Sequence, residues 1–181
     1  MALNLPDKVR RALWAAAAPV RELGLAVRWV RPEGIHVTLK FLGDVVEGRE
    51  PELRAALGRA VAGAPALPLV VGGFGAFPGL DRPRVIWAGL GPEPALQGLQ
   101  RRVDEQFMPL GFPREDRPFR PHLTLGRAAR DARPERCDGL EEALRGLRHE
   151  EATVVDAVDL MQSVLQPGGA VYQIRHSERL S

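Results

Sequence analysis

Apolar positions recur along the chain with two periods, and the switches between them mark its elements. Met1–Leu5 reads as a short strand, and Pro6-Asp7 suits a helix start. Val9, Leu13, Ala16 and Val20 share one helical face, so a helix is expected to run to about Leu23. Ala26–Val30 reads as a strand, Arg31-Pro-Glu-Gly34 as a turn, and Ile35–Leu42 as a second strand. Leu53, Leu57 and Val61 give helical spacing over Pro51–Val61. Leu67–Val71 and Val85–Leu90 are apolar or β-branched runs, separated by a Gly/Pro-rich loop from Gly72 to Pro83. Leu96, Leu99, Val103 and Phe107 mark another helix, followed by a charged loop over Pro113–Pro121. His122–Arg127 reads as a strand and Pro134–Leu147 as a last helix. Ala152–Leu165 and Val171–Ile174 read as strands around a Pro167-Gly-Gly169 turn. Several strand pairs lack room for a crossover helix. The pattern therefore predicts an α+β fold with antiparallel sheets rather than a doubly wound sheet.

Composition narrows the class. A length of 181 residues fits one large domain or two packed lobes. With 45% hydrophobic and 27% charged residues, the chain is not disordered, collagen-like or a coiled coil. Lys8-Val-Arg-Arg11 followed by Ala12–Ala18 superficially resembles a signal peptide, but the apolar stretch is short and Arg21-Glu22 follow without a cleavage site. No stretch approaches the ~18 apolar residues of a membrane span, so a cytoplasmic protein with no membrane partner is expected. Cys137 is the single cysteine, which leaves no internal disulfide and no cysteine-based metal cluster. Net charge is only +2, yet 23 of the 25 cations are arginines. Most of that excess accompanies an Ala-, Gly- and Pro-rich composition and argues about partners only where it clusters.

The chemistry lies in a repeated tripeptide. The chain has four histidines and three threonines, and both His36 and His122 have threonine two positions on and leucine after it. With threonines scattered at random, two such matches would occur roughly once in 600 sequences. The two histidines lie 86 positions apart, close to half the chain, as if each half carried one strand-helix-strand unit. On a strand, His36 and Thr38 point to one face while Ile35, Val37 and Leu39 point to the other, and His122 and Thr124 stand likewise over Leu123 and Leu125. Two such units facing each other would line one cleft with two imidazoles and two hydroxyls. That set suits metal-free cleavage of a phosphodiester. One imidazole takes a proton from water, the other protonates the leaving oxygen, and the hydroxyls donate to phosphate oxygens. A metal site is the competing use of paired histidines, but no third ligand shares the spacing. His149 and His176 sit in unrelated contexts and read as surface or structural residues.

These segments resemble the 2H phosphoesterase superfamily, named for its two H-x-[ST]-x motifs, here at 36–39 and 122–125. The flanks are most similar to its RNA 2′,3′-cyclic phosphodiesterase (2′-5′ RNA ligase) family. They include Leu3-Asn-Leu-Pro-Asp7, Arg28-Trp-Val-Arg-Pro-Glu33, His36-Val-Thr-Leu-Lys-Phe-Leu-Gly43, Gly75-Ala-Phe-Pro78, Arg82-Pro-Arg-Val-Ile-Trp87, Pro118-Phe-Arg-Pro-His-Leu-Thr-Leu-Gly-Arg127, and Ser163–Pro167 with Tyr172. The resemblance implies a single bilobal domain over 1–181, with two pseudo-symmetric lobes of antiparallel sheet and flanking helices around a central cleft. It implies hydrolysis of RNA 2′,3′-cyclic phosphate ends to 2′-phosphomonoesters without metal or cofactor, with a reversible, ATP-independent 2′-5′ ligation of tRNA halves as a side reaction, by a monomer. It makes His36 the proton donor and His122 the proton acceptor, with Thr38, Thr124 and Arg127 on the phosphate. Arg127 has the opposite strand parity to His122, so it reaches the cleft only if the strand bends near Gly126. Arg84 and Arg120 are weaker phosphate candidates, and Lys40 reads either as a cleft charge or as a solvent-facing lysine. The family's first strand is longer than Met1–Leu5, which supplies only part of a central strand.

The nearest enzyme alternative is another 2H phosphoesterase, acting on 2′-5′ oligonucleotides or small cyclic nucleotides. The alternative of another class is a non-catalytic RNA-binding module, which needs exposed stacking aromatics. Aromatics make up only 6% of the chain, and Phe41, Phe74, Phe77 and Trp87 read as core, with Phe77 and Trp87 placed to border the cleft.

Overall fold

A computed structural model describes residues 1–128, 138–166 and 169–181. The expected Pro167-Gly-Gly169 turn, the start of the Pro134–Leu147 helix and Cys137 lie wholly or partly outside those residues. Among the described residues, the strands are β1 (Ala2–Asn4), β2 (Val27–Trp29), β3 (His36–Thr38), β4 (Leu67–Phe77), β5 (Val85–Leu90), β6 (His122–Ala128), β7 (Glu150–Val155), β8 (Ala157–Gln166) and β9 (Gly169–Arg179). The helices are α1 (Asp7–Ala16), α2 (Ala18–Arg21), α3 (Glu50–Val61), α4 (Pro94–Phe107) and α5 (Leu140–Gly146). The α+β class is as read from the sequence.

The strands form one antiparallel sheet in the order β7-β4-β5-β6-β3-β1-β8-β9, with β2 attached to β6. The two expected lobes are the two halves of this sheet, and they meet where β3 pairs β6 through Val37 and Leu123. The β1-α1 unit leads to β3, and the β5-α4 unit leads to β6. Each histidine strand pairs with the strand that opens its unit. β1, with three residues, sits between β3 and β8, and its neighbours Met1 and Leu5 are buried with it.

The sheet buries one face. Leu3, Ile35, Val37, Leu123 and Leu125 are at most 1% exposed. They share a core cluster with Val9 and Leu13 of α1, Leu53 and Leu57 of α3, and Leu96, Val103 and Phe107 of α4. Period 2 on the strands thus meets period 3.6 on the helices across one apolar interface.

Four of the differences from the sequence reading bear on the fold. The helix from Asp7 breaks at Ala17 and resumes as α2, with Pro19 in its first turn, where a missing N–H is tolerated. β3 ends at Thr38, shorter than the expected Ile35–Leu42, because Leu39 and Lys40 both turn their N–H groups to the Met1 carbonyl. β4 continues through the expected loop to Phe77: the extra residue at Gly72-Gly73 forms a bulge, after which Phe74 pairs Ala88 and Ala76 pairs Ile86. The Ala152–Leu165 run is two strands, β7 and β8, which break at Asp156 and go to opposite halves of the sheet.

Lys40 borders the cleft, yet it is neither a free charge there nor a solvent-facing lysine. It is 3% exposed, and its Nζ donates to Asp104 Oδ1 at 2.6 Å and to the Pro113 carbonyl at 2.7 Å. Gln100 Nε2 donates to the other carboxylate oxygen at 2.7 Å. This buried ion pair ties the end of β3 to α4 and to the segment entering β6. Lys40→Met should lower unfolding free energy by about 3–5 kcal/mol in urea titrations, because it strands the Asp104 carboxylate. The double variant Lys40→Met/Asp104→Leu should recover much of that loss, and a single variant as stable as the parent would contradict the clasp.

Candidate active site

The face of the sheet opposite the core forms the floor of an open cleft of about 1930 Å³. His36, Thr38, His122, Thr124 and Arg127 all line it. What brings them together is the Val37–Leu123 pairing. In an antiparallel pair the residues on either side of a facing pair exchange places, so His36 lies toward Thr124 and Thr38 toward His122. A local twofold axis thus relates the two His-x-Thr tripeptides.

Arg127 reaches the cleft through a bulge. On β5, Ile86 and Trp87 are consecutive, but their partners on β6 are Gly126 and Thr124, so Leu125 is the extra residue. The bulge reverses the parity of everything after it and puts Arg127 on the side of His122 and Thr124. Glycine is required at 126 for the pairing of β2. A Cβ on it would stand 2.5 Å from Val27 Cγ1 and 2.8 Å from Trp29 Cε3, so only glycine lets β2 pair alongside.

Both imidazoles are held in the same way. His36 Nδ1 donates to the Gly34 carbonyl at 2.9 Å, and His122 Nδ1 donates to the Arg120 carbonyl at 2.8 Å. A carbonyl can only accept, so Nδ1 carries its proton in either charge state and Nε2 is the atom that takes up or gives one. Each ring also meets an aromatic at a near-perpendicular angle: Tyr172 lies 4.7 Å from His36, and Phe77 lies 5.1 Å from His122. Phe77 in turn packs on Trp87 at 5.0 Å, and Trp87 lies across Gly75, where a Cβ would be 2.5 Å from its ring. A Cβ on Gly34 would stand 3.0 Å from Val30 Cγ1 and 3.4 Å from the Tyr172 ring, so Gly34 packs close to both.

Burial lowers the His36 pKa to about 4; the bond to Gly34 opposes this, and the nearby Arg127 and Arg10 cations reinforce it. By itself, then, the protein holds His36 neutral at pH 7.

Arg84 and Arg120 also line the cleft, as do Tyr172 and Phe77. Phe77 borders the cleft as the sequence suggests, but the sequence does not show which ring meets which histidine, because Tyr172 and Phe77 are remote from His36 and His122 along the chain. Only the sheet order brings each to its ring. Phe41 is not core: it is 72% exposed, on the cleft wall. His149 and His176 lie outside the cleft, beside Glu151 at 3.7 Å and Glu178 at 2.7 Å. No helix among the described residues is long and apolar enough to cross a membrane.

Comparison with known proteins agrees with this geometry. The profile of the 2′-5′ RNA ligase superfamily matches residues 7–166. An RNA 2′,3′-cyclic phosphodiesterase of Archaeoglobus fulgidus is 37% identical over 175 residues, covering 96% of this chain and 94% of that protein. One of Methanothermobacter thermautotrophicus is 32% identical over 174 residues, covering 95% and 92%. Among solved structures, Escherichia coli LigT complexed with 3′-AMP superposes with a TM-score of 0.78 at 25% identity, covering 99% of this chain and 95% of that one. The protein TT0787 of Thermus thermophilus superposes with a TM-score of 0.76 at 29% identity over the same shares. Paired histidine strands, a fold shared along nearly the whole chain and a family profile spanning most of it lead to one conclusion: this protein belongs to the 2′-5′ RNA ligase superfamily.

Proposed function

We propose that the protein hydrolyses the 2′,3′-cyclic phosphate at an RNA end to a 2′-phosphomonoester. The observation that carries this reading is the local twofold, which presents two imidazoles with identical backbone anchors on one cleft floor. The names of the relatives support the substrate class. In the proposed step His122 Nε2 takes a proton from water as its oxygen bonds to phosphorus. The P–O3′ bond breaks, and His36 Nε2 gives its proton to O3′. Thr38, Thr124 and Arg127 hold the non-bridging oxygens, where charge grows in the transition state. The anionic phosphate supplies what the protein alone does not give His36, a negative charge that favours its protonated form. A 5′-hydroxyl of a second RNA strand, such as a tRNA half, in place of water gives a 2′-5′ linkage without ATP, since the strained ring supplies the driving force. In this reading the two imidazoles and the phosphate-binding side chains serve both acceptors, water and a 5′-hydroxyl, and we assign no metal or cofactor a part. The working unit is the single domain over 1–181, acting as a monomer.

Three measurements test this reading. An oligoribonucleotide ending in a 2′,3′-cyclic phosphate, incubated with EDTA, should give a 2′-phosphate. A 3′-phosphate product, loss of activity in EDTA, or binding without turnover would each overturn the assignment. His36→Ala and His122→Ala should each lose roughly 10²–10⁴-fold in rate, and near-normal turnover in either contradicts its role.

The third concerns His36 in the free protein. By ¹⁵N NMR it should titrate near pH 4 as the Nδ1–H tautomer, and inorganic phosphate should raise the midpoint. The unfolded chain takes this proton at about 6.5, before the folded one, so stability falls as pH drops from 6.5 toward 4. His36→Asn should flatten that slope. A midpoint at or above 6.5 without phosphate would refute the burial argument.

A further inference from the structure

One large aromatic in the cleft has no part in the reaction above. Phe41 is 72% exposed, five positions beyond His36, and Val45 and Val46, 38% and 75% exposed, line the same cleft. Large apolar side chains left bare inside a cleft mark a surface suited to be covered.

The adjoining segment identifies the chemistry of what covers it. Lys40, immediately before Phe41, donates to the Pro113 carbonyl at 2.7 Å, which clips the chain after β3 to the chain entering β6. That second segment carries Arg114, Arg117 and Arg120 into the cleft, Arg114 also meeting Glu105 at 3.3 Å. A bare aromatic ring and guanidinium groups lining one cleft suit a single-stranded nucleic acid, whose bases stack while its phosphates meet cations. Size agrees. The cleft of about 1930 Å³ exceeds the roughly 300–1,000 Å³ of a small-molecule pocket, so a mononucleotide fills only part of it. Position agrees as well. The rings against the two imidazoles are Tyr172 and Phe77, not Phe41. Five residues of extended chain span at most about 18 Å, which keeps Phe41 within reach of a neighbouring nucleotide.

We infer that the cleft holds a single-stranded RNA end of two or more nucleotides, with Phe41 stacking on a base upstream of the cyclic phosphate and Arg117 and Arg120 on the phosphates that precede it. This rests on the cyclic-phosphate reading above. Phe41 confers preference for polymer ends over mononucleotides and takes no part in bond breaking.

The test compares kcat/KM on a mononucleoside 2′,3′-cyclic phosphate and on a tetranucleotide with the same end. Phe41→Ala should lose about 5- to 150-fold on the tetranucleotide, mostly through KM, and stay within about twofold of the parent on the mononucleoside. Phe41→Trp should restore the preference. Because Phe41 is exposed, neither change threatens the fold. Arg117→Ala/Arg120→Ala should reduce the log–log salt slope on the tetranucleotide by about 1.4, the value for two single-strand phosphate contacts. A Phe41→Ala variant unchanged on the tetranucleotide, or impaired equally on both substrates, overturns the inference while leaving the catalytic reading intact. A parent protein inert on both substrates would overturn the catalytic reading, and this inference with it.

Discussion

The site depends on one backbone contact, the antiparallel pairing of β3 with β6 through Val37 and Leu123. Any other register would break the local twofold. A slip of one residue would send a histidine into the core and expose the apolar residue beneath it. The register is secured from below, where Ile35, Val37, Leu123 and Leu125 pack against three helices in one cluster. The apolar face thus positions the polar one, and catalytic geometry follows from hydrophobic packing.

Equivalent backbones do not make equivalent acids and bases. The same i−2 carbonyl anchors both rings and leaves Nε2 as the working atom in each. At His36 the surroundings then add their own bias: burial and the nearby Arg127 and Arg10 depress its pKa. In the proposed mechanism, a buried neutral imidazole that gains its proton as the anionic phosphate arrives would serve as the donor. This ties the electrostatics of the cleft to the division of labour between the two halves.

Much of this was legible in the sequence, wherever the signal was local. The His-x-Thr repeat declared itself because a strand's period of two fixes which side chains share a face. The helices over Pro51–Val61 and Leu96–Phe107 matched their apolar spacing. What escaped was set by contacts distant in sequence. Arg127 has the wrong parity until Leu125 bulges opposite Ile86-Trp87, although Gly126 hinted at it. Lys40 shares a strand face with His36 on paper, but β3 ends first and the lysine turns to Asp104, 64 positions away. Phe41 read as core by type alone, since hydrophobicity says nothing about which wall of a cleft a residue occupies. The Ala152–Leu165 run looked like one strand because both its pieces are apolar, while only the sheet order shows them parting at Asp156.

The central claim is that the twofold at Val37–Leu123 makes two imidazoles converge on one phosphate. A crystal structure with a slowly hydrolysed 2′,3′-cyclic phosphorothioate RNA end tests it most directly. The account predicts His36 Nε2 and His122 Nε2 on opposite sides of the phosphorus, with His36 Nε2 about 2.6–3.2 Å from O3′ and His122 Nε2 the same distance from a water in line with the P–O3′ bond. A phosphate touching only one imidazole, or seated elsewhere in the cleft, would contradict it.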